Sequence, residues 1–434
     1  MSASIRITHA RAIDAEGEYE RLSLGIRDGR IVHADATPPD GLWDIDIDAE
    51  GLLLAPAWIE LAARLREPGA THKADITSEL RAAARCGIAA VTLPPDTRPV
   101  VDRPAVVDWI RTRVHGTGSP VRVHVLGAAT VNLAGTDISE MGALANAGCA
   151  GIAQCGEALR DTAVMRRVLE YAASFGLTLH VQPVDAALAG EGCAHEGAMA
   201  TRMGLPPVPV AAETCAVGQW LSLVEATGAR VHFGRLSSAR GAEMVAQARA
   251  AGLPVSADVA LHQLLLTDTA LRGFDTAAHV QPPLRSETDR ATLCSLLAQE
   301  GIAALCCDHQ PHEFDAKNAP FDLSEAGASG LDTAWSMALS LIDASIIDGP
   351  QLIRACHSQP LDILGQPAQG FAVGARADVV LLDRTQRATV EPQHFVSRGR
   401  NTPLTGLPTG GSVALSCVAG VIEQESLDAH RLHR

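Results

Sequence analysis

The chain has 434 residues, 47% of them hydrophobic and only 3% aromatic, so Ala, Val and Leu must do most of the packing. That length exceeds one small domain and suits a large α/β barrel with a smaller companion. The net charge of −15 argues against nucleic-acid and anionic-membrane partners. No apolar run reaches the ~18 residues of a membrane span, and MSASIRITHA has no apolar signal core, so a soluble, cytoplasmic protein is expected.

Residues 1–55 read as β-rich. Ile5–Thr8 and Leu22–Ile26 alternate, Arg27-Asp28-Gly29-Arg30 is a turn, and Asp44–Asp48 alternates strictly. This period-two pattern with Asp-Gly punctuation predicts hairpins. From residue 56 short apolar runs alternate with Ala-rich helical stretches. The runs are Ala89–Leu93, Val121–Leu126, Leu177–Val181, Arg230–Phe233, Pro254–Ala257 and Ile302–Cys306. The helical stretches include Ile76–Arg85, Thr162–Phe175, Glu213–Thr227, Ala239–Ala251 and Arg285–Gln299. Continuous apolar strands between helices imply a parallel sheet covered on both faces. Roughly eight such units over about 300 residues favour a closed (β/α)8 barrel of TIM type. No glycine-rich phosphate loop follows a strand. After about residue 365 strands return, at Val379–Leu382, Val413–Cys417 and Val421-Ile422. The expected division is a barrel over 56–364, flanked by 1–55 and 365–434, which together build one β-sandwich domain.

The ten cysteines contain no Cys-x-x-Cys pair, which removes zinc-finger and thioredoxin-like readings. Most read as small buried thiols.

Several stretches share one family order. They are Leu65-Arg66-Glu67-Pro68-Gly69, Pro95-Asp96-Thr97-Arg98-Pro99, Leu261–Asp268, Pro282-Pro283-Leu284-Arg285, Cys307-Asp308-His309-Gln310-Pro311-His312, Gly330–Ala334 and Ser397–Gly406. Together they resemble type I dihydroorotases of the amidohydrolase superfamily over nearly the whole chain. Such enzymes hydrolyse or form the cyclic amide of dihydroorotate with a metal-bound hydroxide, because free water is too weak an acid at neutral pH. The resemblance places the family's two first-strand imidazoles on Ala62 and Arg64, and its paired Asp on Gln154 and Cys155. The sixth-strand imidazole falls on Arg235. His180 and Asp308 are retained as relict ligands, Asp308 at the family's proton-shuttle position. Alanine has no ligating atom and a guanidinium no free lone pair. The family's substrate-binding positions fall on Arg66, Asp96, Gln281 and His312, where Asp96 and Gln281 replace asparagines.

The resemblance is strongest to noncatalytic dihydroorotase homologues that assemble with aspartate carbamoyltransferase. It implies a likewise oligomeric protein of pyrimidine biosynthesis without a metal cofactor. The competing reading is an active dihydroorotase or related cyclic amidohydrolase with zinc at an atypical Cys155–His180–Asp308 site. A small-molecule sensor is the third. Further expectations are that Asp308 pairs with Arg64, Arg235 or both. Asp96 should repel an anionic substrate, His232 should face away from the site, and His180 should be a hydrogen-bonded core residue. Glu60 is expected as an extra counter-ion, and Arg66 as a brace for its own loop.

Overall fold

Eight strands stand side by side in chain order, every pair parallel, in a computed structural model that describes residues 3–156, 159–425 and 431–433. They are Trp58–Glu60, Ile88–Leu93, Arg122–Ala128, Gly151–Gln154, Leu179–Val181, Val231–Phe233, Val255–Ala260 and Ala304–Cys306. All six residues of Ile88–Leu93 are buried, as a strand covered on both faces requires. The ring closes just past the strand ends. The His309 N–H donates to the Ala62 carbonyl at 2.8 Å, and the Arg64 N–H to the His309 carbonyl at 2.9 Å. The fold is therefore the expected amidohydrolase-type barrel, with its mouth at the C-terminal strand ends.

The outer helices follow their apolar periodicity. Ile76–Arg85 begins at a capping box in which Asp75 accepts from the Ser78 N–H, and it buries Ile76, Leu80 and Ala83. The predicted Arg285–Gln299 helix is shorter, Glu287–Ala298. Ser286 caps it, and Arg285 leaves the helix to donate to the Ser237 hydroxyl (3.0 Å) and the Val208 carbonyl (2.9 Å). One buried cluster of the barrel is rich in small side chains, among them Ala57, Ala62, Ala89, Ala90, Ala260 and Ala304. Among the few aromatics, Trp58 and Trp335 meet edge to face at 5.7 Å.

Both chain ends build one nine-stranded sheet. Its path runs Val421–Glu425, Ser412–Val418, Val379–Asp383, Leu53–Pro56, Ile5–Ile13, Glu18–Arg27, Arg30–Asp35. Hairpins form at Glu18–Arg27 with its two neighbours. The strand Ile45–Asp48, by contrast, lies parallel to Ile5–Ile13, because its polar alternation sets a half-buried strand without specifying its partner. A small lobe over the barrel mouth went unpredicted. It packs Cys193, Leu205, Leu271, Val280, Leu284 and Phe321 together from three loops. Among the described residues no helix is long and apolar enough to cross a membrane.

Candidate functional site

The barrel mouth gathers most of the positions singled out in the sequence. Arg64, just beyond the first strand, donates from Nε to Asp96 Oδ2 at 2.7 Å. Its Nη1 lies 3.8 Å from Asp308 Oδ1, and Arg235 Nη1 lies 3.6 Å from the same oxygen. Asp308 thus faces both guanidinium groups, but as close ion pairs and not as the bidentate fork that carboxylate geometry allows. The hydrogen bonds go elsewhere. Arg235 Nη2 donates to Gln182 Oε1 at 2.9 Å, and Gln310 Nε2 donates to Asp308 Oδ1 at 2.9 Å. Arg235 Nε is buried with no hydrogen-bond partner. Arg235 and Asp308 hold left-handed backbone, φ 57° and 46°, which costs a non-glycine residue energy.

Asp96 is not a free repulsive carboxylate, because Arg64 neutralises it. Burial raises its pKa, but the Arg64 charge overrides that and holds the carboxyl below the ordinary range. Burial opposes the charge on Arg64, and Asp96 followed by Asp308 holds its pKa above the usual arginine value.

His180 sits deeper in the barrel. Burial, then the neighbouring His232, pushes its pKa down to about 3. Its Nε2 is buried without a hydrogen-bond partner, so the expected bonded core histidine is not found at that atom. His232 does not turn away. Its strand pairs in register with that of His180, which puts both rings on one face, 5.2 Å apart and edge to face. Its Nε2 meets Asp258 Oδ2 at 2.8 Å, while Asp258 Oδ1 accepts the Arg235 backbone N–H at 2.6 Å. Strand alternation ends at Phe233, so counting from His232 to Arg235 misjudged the direction. Glu60 is no counter-ion either. It accepts from Trp58 Nε1 and the Ala62 and Cys307 N–H groups, and burial pushes its pKa up to about 7.

These residues do not fit a catalytic metal, which takes three or more lone-pair donors. Ala62 is buried among other alanines. The Gln154 amide is tied to the Thr130 hydroxyl and Leu133 carbonyl. Burial, then Asp96, pushes the Cys155 thiol up to about 12, so it is a poor thiolate ligand. Among the described residues no group of three His, Cys, Asp or Glu side chains is placed to hold a metal ion.

Two cavities meet at Arg64 and Asp96. One, about 350 Å³, is also lined by Gln154, Cys155, Gln182, Trp220, Gln281 and Gln310. The other, about 370 Å³, adds Arg66, Lys73, Arg98 and Glu325. Asp308, 1% exposed, lines neither. Arg66 Nε donates to the Pro311 carbonyl at 2.9 Å, and its Nη2 lies 3.0 Å from His312 Nε2. It therefore braces the loop after the last strand. Burial, then Arg64, pulls Arg66 down to about 10, and burial with Arg66 pulls His312 to about 2. Lys73 bonds to both Glu325 and His312.

Sequence reasoning missed the supports behind the mouth. Glu79 receives His309 Nε2 at 2.8 Å, and Glu213 receives the N–H and hydroxyl groups of Ser237 and Ser238. These acids lie in the first turns of their helices, and their partners are distant in sequence.

A family model described as Dihydro-orotase-like matches residues 51–240. A dihydroorotase-like protein of Pseudomonas aeruginosa is 40% identical over 431 residues, covering 99% of both chains. A dihydroorotase of Anaeromyxobacter dehalogenans is 36% identical over 434 residues, covering 99% of this chain and 100% of its own. Among solved structures, an L-hydantoinase (dihydropyrimidinase) from Arthrobacter aurescens superposes with a TM-score of 0.88 at 20% identity. That match covers 99% of this chain and 97% of the other, and bears on the fold alone.

Proposed function

The chain belongs to the dihydroorotase-like family of the amidohydrolase superfamily, and from that premise we propose that it is a noncatalytic member. Its role is as a structural partner of aspartate carbamoyltransferase in a cytoplasmic assembly of pyrimidine biosynthesis. One observation supports the noncatalytic reading above others. Where metal and substrate would meet the proton-shuttling acid, Asp308 instead faces Arg64 and Arg235 and lines neither cavity. A carboxylate 1% exposed and set between two guanidinium groups is poorly placed to exchange a proton with a substrate. The partner reading rests on the resemblance, and on a barrel kept intact after its donor set is gone.

Coexpression with aspartate carbamoyltransferase tests the partnership. A defined complex on sizing chromatography is expected, and two chains eluting only as separate species would overturn it. The noncatalytic half is tested by dihydroorotate hydrolysis with and without added zinc, where no turnover is expected. Turnover that disappears in Asp308→Ala would favour the alternative, an active dihydroorotase or related cyclic amidohydrolase. The combined variant Ala62→His, Arg64→His and Arg235→His should remain inactive, because Gln154 and Cys155 still supply no bridging carboxylate.

A further inference from the structure

We infer that Asp96, Arg64, Asp308 and Arg235 form a self-neutralising ionic tie across the barrel mouth, in which two guanidinium groups hold Asp308 in place of a metal and Asp308 serves the fold. The four charges alternate in sign along a continuous path. Asp96 is hydrogen-bonded to Arg64, Arg64 faces Asp308, and Asp308 faces Arg235. Two cations and two anions leave the cluster formally neutral, the condition under which charges are tolerated away from water. Gln182 caps the Arg235 end by accepting from Nη2, and Gln310 donates to Asp308 within the path.

The tie joins chain segments that follow five different barrel strands. Arg64 follows the first strand, Asp96 the second, Gln182 the fifth, Arg235 the sixth and Asp308 the eighth. A metal ion bound by residues from several strands links their ends in the same way. The strained backbone at Arg235 and Asp308 fits this reading, since left-handed non-glycine residues persist only where their surroundings hold them. The side chains of Arg235 and Asp308 are 9% and 2% exposed, so removing Asp308 would leave two like charges facing each other in a poorly hydrated space.

That sign pattern makes a specific test. Asp308→Asn should lower the thermal unfolding midpoint by several degrees. Adding Arg235→Gln to that variant should recover part of the loss, because Arg64 then no longer faces a second cation. An insoluble Asp308→Asn protein whose solubility returns with Arg235→Gln is the same result. Zinc chloride alone should leave the midpoint of the unaltered protein where it is. The inference is overturned if Asp308→Asn melts like the unaltered protein. It is also overturned if the two changes simply add, or if zinc raises the midpoint and Asp308→Asn abolishes that rise. The inference rests on the noncatalytic reading only in that Asp308 takes no part in turnover, and the two fail separately. Turnover with a destabilised Asp308→Asn sinks the functional reading and leaves the tie, whereas an inactive protein with an unmoved midpoint sinks the tie alone.

Discussion

Glu79→Gln should destabilise the protein by about 2–4 kcal/mol at neutral pH, although the two side chains have nearly the same shape. Glu79 is fully buried on the helix Ile76–Arg85. Its Oε2 accepts from His309 Nε2 (2.8 Å) and the Ser397 hydroxyl (2.6 Å), and its Oε1 from the Ser78 hydroxyl (2.8 Å) and the Arg398 N–H (3.1 Å). His309 Nδ1 accepts the Gly330 N–H, so the ring must donate from Nε2. The two serines can turn their hydroxyls, but the imidazole and the Arg398 amide cannot. A glutamine has one oxygen, so whichever way it flips, one fixed donor faces an NH2 group. That donor's loss costs about 1–3 kcal/mol, and the remaining bonds weaken because their acceptor is no longer charged. Denaturant unfolding followed by the fluorescence of Trp58 and Trp335, both buried, reads the difference. Burial raises the Glu79 pKa, but the His309, Ser397 and Ser78 bonds overcome this and hold it below its ordinary 4.5. Its stabilisation is therefore complete above about pH 4.5 and is lost as pH falls through the lower folded value. The gap between parent and variant should narrow in acid. A gap under about 0.5 kcal/mol at pH 7, or one that widens in acid, would refute the reasoning.

Two further changes probe the mouth and the barrel interior. Asp96→Asn removes the hydrogen-bonded counter-ion of Arg64 and should cost about 1–3 kcal/mol in the same unfolding assay. Because the Asp96 pKa is depressed, that cost should fade as pH falls below the ordinary carboxyl value of 3.8. His180→Leu should make stability less sensitive to acid. The folded ring titrates near 3 against an ordinary 6.5, so the unfolded chain binds more protons in between and stability drains away across that window. A variant with the parent's pH profile would contradict the buried, unprotonated state assigned to His180.

Much of the architecture was legible because it rests on local regularities. The helix Ile76–Arg85 is legible from its apolar spacing, and the barrel strands from short runs buried on both faces. Elements whose partners are distant were not legible. Ile45–Asp48 reads as a strand from its alternation, yet nothing local says that it will lie parallel to Ile5–Ile13. The lobe over the mouth is built from loops with no periodicity. The Glu79–His309 contact spans 230 residues, and a glutamate in a helix's first turn ordinarily reads as solvent-exposed.

The site shows a finer limit, and Asp96 illustrates it. Taken position by position, Asp96 stands where the resemblance places a substrate-binding asparagine, so an extra carboxylate reads as loss of function. Arg64 and Arg235 stand where it places imidazoles, and they read as two more losses. The contacts change the sense of all three. Arg235 also has the buried Asp258 beside its backbone N–H, whereas Arg64 shares Asp308 and would otherwise have no hydrogen-bonded anion in a region only partly hydrated, which is costly. Asp96, at 2.7 Å from Arg64 Nε, restores the balance. The asparagine-to-aspartate difference and the imidazole-to-arginine differences therefore belong to one electrostatic arrangement, each tolerable because of the other. The resemblance led to the pairing of Asp308 with the arginines but not to the part of Asp96, because Arg64 and Asp96 are 32 residues apart and the field that couples them exists only once the barrel has closed.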